Sequence, residues 1–311
     1  MIISNTAELR KYVSVNASFI FEDFAPYIDK AINSYTEKYV GKLHVILKDA
    51  ESSDDSIKNQ AREYLRAAIA NFGFFLYQPF LQLQIDGSGF SVAISENRKQ
   101  PEWYQLADVR RELLRSGHEA MDRLMEVLEK NPTEFPDWTN NYATTYKDLI
   151  VKNAEEFSAC YNIYNSRQTF LALVPIIRQV EIQILKNFIT KAFILELKGS
   201  VTDADKLEVK KYIQQAVVAT VVSRIYNEGI FHFDSTGVKL KFDVLPNEKV
   251  QAIDYGKPAE QLQRAIKIQL DNATQFILLA KEIIEEKFSD NLITTASPKS
   301  TVIGTGGLIG L

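Results

Sequence analysis

The residues of this 311-residue chain that are most able to do chemistry are three histidines and one cysteine. His44, His118 and His232 fall in different predicted elements, and none has a second histidine or cysteine at ligand spacing, which a metal site would need. His118 is predicted on a charged helix face. His232 alternates with two phenylalanines and is predicted to face solvent on a strand. We therefore predict no metal site and no cofactor.

Cys160 is the single cysteine, so it cannot form a disulfide within the chain, and a reducing cytoplasm suits it. It lies in the apolar and aromatic string Phe157–Tyr161, which predicts a small buried hydrophobic side chain rather than a nucleophile.

Motifs for nucleophilic or phosphate chemistry are missing from the sequence. It contains no Gly-x-Ser-x-Gly elbow and no glycine-rich loop that ends in Lys-Ser or Lys-Thr. The glycine-rich stretch 303–311 follows no predicted strand, and acidic pairs such as Glu285-Glu286 are expected on solvated helix faces. We therefore predict no catalytic residues and no enzyme activity. An enzyme without a recognisable motif stays an alternative, which a deep pocket lined by convergent polar groups would favour.

Charge and hydropathy narrow the class of protein further. The chain has 36 basic and 40 acidic side chains and a net charge of −4, so general attraction to nucleic acid is not expected. We find no secretory signal. The most apolar stretch, 170–197, contains four charged residues and is predicted as a buried helix rather than a membrane span.

The first half of the chain shows helical and then strand periodicity. Apolar and aromatic residues at three- and four-residue steps predict helices over 24–39 and 57–76, the second ended by Pro79. Asn5 with Glu8 predicts an earlier helix start. A change to period two predicts a β-hairpin near 81–94, before a helix over 105–130. The proline- and asparagine-rich segment 131–141 is the predicted linker.

The second half follows the same order. We predict helices over 142–157 and 165–188, a helix capped by Thr202 with Asp205, a hairpin near 230–242 and a helix over 258–288. An offset of 149 residues (161 − 12) pairs several identical residues; these pairs are Tyr12 with Tyr161, Asn16 with Asn165, Phe21 with Phe170, Pro26 with Pro175 and Ile28 with Ile177.

The predicted fold is therefore mainly α: two tandem, duplicated helical-bundle domains, each with a small β-hairpin. The first repeat spans 1–135, the second spans 142–291, and 292–311 is an extended C-terminal arm. Five aliphatic residues of the arm are predicted to dock onto a neighbouring subunit or another partner, although a frayed terminus is the alternative. They are Val302, Ile303, Leu308, Ile309 and Leu311. Four tyrosines near predicted surfaces, Tyr142, Tyr146, Tyr161 and Tyr164, are further candidates for protein interfaces.

The opening of the first repeat resembles a known family. The segments Leu9-Arg-Lys-Tyr-Val-Ser-Val15, Phe24-Ala-Pro-Tyr-Ile-Asp-Lys-Ala31 and Tyr35-Thr-Glu-Lys-Tyr-Val-Gly41 resemble the start of head–tail connector proteins of tailed bacteriophages. The whole chain is similar to an uncharacterised family in phages and prophages of gut bacteria. The resemblance is clearest over 5–95 and weaker over 158–245, where Thr190 replaces the counterpart of Gly41.

The resemblance implies a structural virion protein that forms an oligomeric ring, often twelve-fold, between portal and tail. Its partners would be copies of itself, the portal protein and tail or neck proteins. DNA would pass through the lumen without specific binding, and the protein would not bind a membrane. The protein would assemble in the bacterial cytoplasm and reside at the virion neck. The alternative is a cytoplasmic helical scaffold or protein-binding module unrelated to virions.

Overall fold

A computed structural model describes residues 1–16, 18–48, 56–81, 83–86, 89–92, 102–226, 231–234, 237–240 and 257–293. This part of the chain is 77% helical, which confirms the predicted mainly α class. The chain divides into two compact units. Unit 1 is Met1–Lys147, Ile163–Leu171 and Gly229–Asp254; unit 2 is Asp148–Asn162, Ala172–Glu228 and Tyr255–Leu311.

The first half of the chain contains eight helices among the residues described. They are α1 (Thr6–Leu9), α2 (Phe21–Ala31), α3 (Glu37–Val40), α4 (Leu43–Lys48), α5 (Ile57–Tyr77), α6 (Trp103–Lys130), α7 (Pro136–Trp138) and α8 (Thr144–Lys147). π-Helical turns at Ile32–Thr36 and Thr139–Ala143 precede α3 and α8, and a 3₁₀ turn at Gln78–Phe80 follows α5.

The second half begins with α9 (Ala154–Cys160), α10 (Arg167–Leu185) and α11 (Lys191–Lys198). Two long helices follow in its described part, α12 (Ala204–Ile225) and α13 (Lys257–Lys287), and a 3₁₀ turn at Ser289–Asn291 ends it.

Short antiparallel strand pairs lie in the chain between the long helices of each half. β1 (Leu83–Asp86) pairs with β2 (Gly89–Val92), and Asp86 is opposite Gly89. β3 (Phe231–Asp234) pairs with β4 (Gly237–Leu240), and Asp234 is opposite Gly237.

In unit 1, α5 is the central helix. Its residues from Ala68 to Gly73 are all buried, so it is covered on every side and packs against α2 and α6. Small residues allow these close approaches. A Cβ atom added at Gly73 would lie 3.0 Å from Phe24 Cζ, and one at Gly117 would lie 2.6 Å from Phe72 Cε1.

In unit 2, α12 has the equivalent central place. Its residues from Ala216 to Ala219 are buried, and it packs against α9, α11 and α13. The side chain that begins this helix differs from the prediction. Asp203 Oδ1 accepts the hydrogen bond from Lys206 N at 2.8 Å, so Asp203, rather than Thr202, is the N-cap.

One further prediction, the N-cap of α1, is confirmed, and another, a helix over 142–157, is wrong. Asn5 does cap α1, because its Oδ1 accepts from Glu8 N at 2.9 Å. The single helix predicted over 142–157 is wrong: α8 ends at Lys147, and α9 begins only at Ala154. The intervening Leu149, Ile150 and Val151 are at most 1% exposed, so their apolar pattern records burial of an irregular segment rather than a helical face.

The helix α10 is long and apolar enough to cross a membrane, by length and composition alone. Its most apolar window has a mean hydropathy of 1.2 and is 44% buried within the protein. It is the one helix of this kind among the described residues. Helices in the cores of soluble proteins pass the same test.

Candidate interaction surface

The start of unit 1 is held by a polar cluster, here called the first clamp: Ile2, Ser4, Asn5, Glu8 and Arg66. Glu8 Oε2 accepts from Ser4 N at 2.7 Å, while Asn5 caps α1. From the central helix, Arg66 Nε donates to Ile2 O at 2.8 Å and a terminal guanidinium nitrogen lies 3.5 Å from Glu8 Oε1. The clamp therefore attaches the first residues of the unit to α5.

The start of unit 2 carries a second clamp: Ile150, Lys152, Asn153, Glu156 and Gln214. Glu156 Oε2 accepts from Lys152 N at 2.8 Å, and Asn153 Oδ1 accepts from Glu156 N at 2.7 Å. From α12, Gln214 Nε2 donates to Ile150 O at 2.9 Å and to Glu156 Oε2 at 3.0 Å. Each member lies 148 positions after its counterpart in the first clamp (153 − 5 = 148).

Electrostatics in the first clamp favour the ionised carboxylate. Burial alone would raise the pKa of Glu8, but hydrogen bonds from the Ser4 amide and hydroxyl and the positive charges of Arg66 and Lys11 lower that pKa overall.

A buried carboxylate holds the irregular segment of unit 2 together. Glu181 is 4% exposed, its Oε2 accepts from Ile150 N at 2.7 Å, and its Oε1 is paired with Lys198 Nζ. Both oxygens of the buried carboxylate therefore have a partner, one the Ile150 amide and the other the Lys198 ammonium. The sequence placed Glu181 on a buried helix without indicating this partner.

His118 occupies a buried polar site in unit 1, which makes its predicted place on a charged helix face wrong. It is 7% exposed, and its Nδ1 lies 2.8 Å from Gln168 Oε1, while Gln168 Nε2 donates to His118 O at 2.9 Å. Its ring meets Phe72 edge-on at 4.9 Å between centroids. Asp122 Oδ1 in turn accepts from Gln168 N at 3.0 Å.

The segment predicted as a linker, 131–141, contains α7 and packs into unit 1. Trp138 is 5% exposed, and its Nε1 donates to Tyr39 O at 3.1 Å. Tyr146 is also buried, and its hydroxyl lies 3.3 Å from Glu129 Oε1, so its predicted place at a surface is wrong. Among the four tyrosines, Tyr164 is the exposed one, at 44%.

Cys160 lines a cavity of about 190 Å³ in unit 2. Burial, with a smaller contribution from Glu156, raises the pKa of the thiol to about 11. The thiol therefore stays protonated near neutral pH, which fits the predicted unreactive side chain. The other residues that line the cavity are Tyr161, Gln215, Val218, Ala219, Gln269, Asn272 and Phe276.

An aromatic surface lies where α2 and the end of α5 meet in unit 1. Its rings, here called the aromatic patch, are Phe19, Tyr27, Phe74, Tyr77 and Phe80. Ring centroids are 5.0 Å apart for Tyr27 and Tyr77, 5.7 Å for Tyr27 and Phe80, and 6.1 Å for Phe19 and Phe74. These separations are typical of packed aromatic pairs, so the rings support one another as one surface.

The patch rests on the core and opens to solvent. Beneath it, Phe24 is fully buried and lies 5.9 Å from the Tyr77 ring and 6.0 Å from the Phe19 ring. Phe80 is 43% exposed at the edge of the patch. Ile20 and Leu81, which follow Phe19 and Phe80 in sequence, are 57% and 44% exposed. Joined apolar groups that remain in water in this way are typical of interaction surfaces.

The predicted docking residues Val302, Ile303, Leu308, Ile309 and Leu311 lie outside the described residues, as does the side chain of His232. The periodicity of the sequence placed Tyr27 on the apolar stripe of the helix predicted over 24–39 and did not single out the other four rings. The exposed Phe80 directly after Pro79 was the available signal, because a large ring beyond a helix end has no stripe to join.

Within the described residues, no group of three or more His, Cys, Asp or Glu side chains could hold a metal ion.

Comparison with known proteins gives one finding about the family. The model of a family of unknown function, DUF6712, matches residues 26–148, which is less than half of the chain. That range begins in α2 and ends just after α8, so it includes most of the aromatic patch. No curated protein and no solved structure matches the chain.

Proposed function

We propose that the protein is a structural virion component: a head–tail connector whose copies form a ring between portal and tail. The observation that carries the proposal is the aromatic patch, a joined apolar surface exposed at the edge of unit 1. Burying it against another chain would remove apolar area from water, at roughly 25 cal/mol per Å². The resemblance to connector proteins at the start of the first repeat indicates which assembly this surface serves.

The proposal includes an internal duplication, with a helical bundle and a small hairpin in each repeat. Support comes from the two clamps, because the same cap, the same backbone–carboxylate bond and the same central-helix donor recur 148 residues apart. Chance would have to reproduce three separate contacts at one offset.

Burial along the central helices supports the same register. Ala61, Leu65, Ala68 and Ile69 of α5 are fully buried, and so are the residues 148 positions later. Those counterparts on α12 are Val209, Ile213, Ala216 and Val217. In α2 and α10 the prolines also agree, since Pro26 and Pro175 are 149 positions apart and both exposed.

Sequence differences between the proposed repeats favour a ring over a symmetric pair. The positions that match Tyr27 and Phe74 at these offsets are the aliphatic Ile176 and Val222. These two rings of the patch are therefore missing from the second repeat. A ring needs head-to-tail contacts between two different surfaces of each copy, which two diverged repeats can supply.

The proposed partners are other copies of the chain, the portal protein and tail or neck proteins. A net charge of −4 fits a channel through which DNA moves without tight phosphate contacts. The proposed location is the virion neck, with assembly in the bacterial cytoplasm.

Light scattering after size-exclusion chromatography tests this function. We expect a closed particle whose mass is a whole multiple of 35.4 kDa, and ring-shaped views in negative stain. The measurement is made on the protein alone and after mixing with a portal protein of a tailed bacteriophage. A monomer under both conditions would contradict the connector and favour a helical scaffold or binding module.

A further inference from the structure

We infer that the aromatic patch of one copy binds the apolar residues of segment 300–311 of a neighbouring copy. The inference rests on the proposed ring, because it identifies the contact that joins one copy to the next.

The patch favours an uncharged, apolar partner. Burial raises the pKa of the Tyr77 phenol, and Asp23 and Tyr27 add to the effect, so this environment disfavours added negative charge. The ammonium of Lys30 lies 4.6 Å from the centre of the Tyr27 ring and already provides a cation for that ring. The apolar side chains of Phe80, Ile20 and Leu81 remain exposed to solvent.

Segment 300–311 has the matching composition. It reads Ser-Thr-Val-Ile-Gly-Thr-Gly-Gly-Leu-Ile-Gly-Leu and contains no charged side chain. Glycines interrupt the run of its five aliphatic residues and would let the backbone come close to a flat surface of rings. Val302 and Ile303 form one apolar group, and Leu308, Ile309 and Leu311 form another.

The length of the chain beyond the described residues allows contact with another copy. Residue Ile293 is attached to unit 2, because its N–H donates to Phe188 O at 3.0 Å. The 18 residues from 294 to 311 could extend by about 60 Å at roughly 3.3 Å per residue. An extended segment of this length spans the width of a small domain.

The first experiment uses a fluorescent peptide of residues 297–311 and the full chain with Ile309→Asp and Leu311→Asp, which removes competition from the chain's own segment. We expect saturable binding by anisotropy. Adding Phe80→Ser, or Ile20→Ser as a milder second variant, should weaken it at least tenfold. The matched control is Leu195→Ser, a 61% exposed residue of α11 in unit 2, which should leave binding unchanged.

Thermal melting by circular dichroism verifies that each variant is folded. Absence of binding to the folded chain would overturn the inference. Binding that Phe80→Ser and Ile20→Ser leave unchanged would overturn it as well.

The second experiment asks whether the contact forms between copies. A Phe80→Ser copy keeps its segment but lacks the patch, whereas an Ile309→Asp, Leu311→Asp copy keeps the patch but lacks the segment. Neither should assemble alone, and mixing them should give a one-to-one complex of twice 35.4 kDa. Separate monomers after mixing would contradict a contact between copies.

The proposed function and this inference can fail separately. A wild-type ring that both variants also form would overturn the inference and leave the connector function standing. A monomeric wild type that binds the peptide through Phe80 would overturn the ring and keep the contact between patch and segment.

Discussion

The carboxylate of Glu181 bonds to Ile150 N and Lys198 Nζ while it is almost completely buried. Replacing Glu181 by alanine leaves a buried amide and a partly buried ammonium without this partner. We expect Glu181→Ala to lower the free energy of unfolding by about 3 kcal/mol, measured by urea denaturation. Glu196→Ala, which breaks the exposed pair with Lys206, should lower the free energy of unfolding much less. Equal losses in the two variants would contradict this role.

Gly41 and Thr190 occupy matching positions of the proposed repeats but have different backbones. Gly41 has φ +56°, and a Cβ there would meet the ring and hydroxyl of Tyr142. Thr190 has φ −65°, and its hydroxyl caps α11. We expect Gly41→Ala to cost about 2–3 kcal/mol, because both strain and overlap oppose it.

The matched control for this glycine is Gly199→Ala, at φ −76°. Thermal unfolding should show a change below about 1 kcal/mol there. A similar cost at both glycines would mean that the backbone at Gly41 is not the cause.

Glu8 gives a pH dependence with a definite sign. Its pKa is lowered in the folded chain, so the ionised form contributes stability above the ordinary value of 4.5. That contribution is lost as the pH falls through the lower folded-state pKa. We expect wild type to lose more thermal stability than Glu8→Gln between about pH 6 and about pH 3. Parallel pH profiles for the two proteins would argue against the lowered pKa.

For single residues, the sequence predicted the local role of a side chain better than its burial. The Asn5 cap followed from residue type and local spacing, whereas Cys160, which was predicted to be buried, is half-buried. The burial of His118 and Tyr146 did not follow from local spacing, because it depends on Gln168 and Glu129, which are distant in sequence. A histidine with charged neighbours in sequence is predicted to lie at the surface unless a buried partner, here Gln168, is known.

Among the elements, the two clamps should act independently, each on its own segment. Arg66→Met removes the donor to Ile2 O, and Gln214→Met removes the donor to Ile150 O. We expect Arg66→Met to speed amide hydrogen exchange over residues 2–9 and leave 150–157 unchanged. Gln214→Met should do the reverse, so each variant is the control for the other. Faster exchange at both segments in either variant would contradict separate clamps.

Long helices were predictable because their apolar period continues for many turns. α5 was expected over 57–76 and spans Ile57–Tyr77, and α13 was expected over 258–288 and spans Lys257–Lys287. The π-helical turns at Ile32–Thr36 and Thr139–Ala143 could not be predicted, because the pattern of apolar residues continues through them as it does in an α-helix. The run before α9 was predicted as helix because buried irregular backbone and a helical core face use the same residue types.

For the whole molecule, the repeated order of elements suggested duplication through an offset of 149. The proposed duplication draws support from the clamps, whose members are all 148 positions apart. The sequence held that signal as Asn-x-x-Glu at both 5–8 and 153–156. A comparison of identical residues misses the donor from the central helix, because Arg66 and Gln214 donate the corresponding hydrogen bonds with different side chains.

The most direct test of the central claim is native mass spectrometry of the purified chain, with and without the portal protein. We predict one closed particle with a fixed number of 35.4 kDa copies, and loss of that particle in a folded Phe80→Ser variant. A single 35.4 kDa species in both wild-type samples would contradict it.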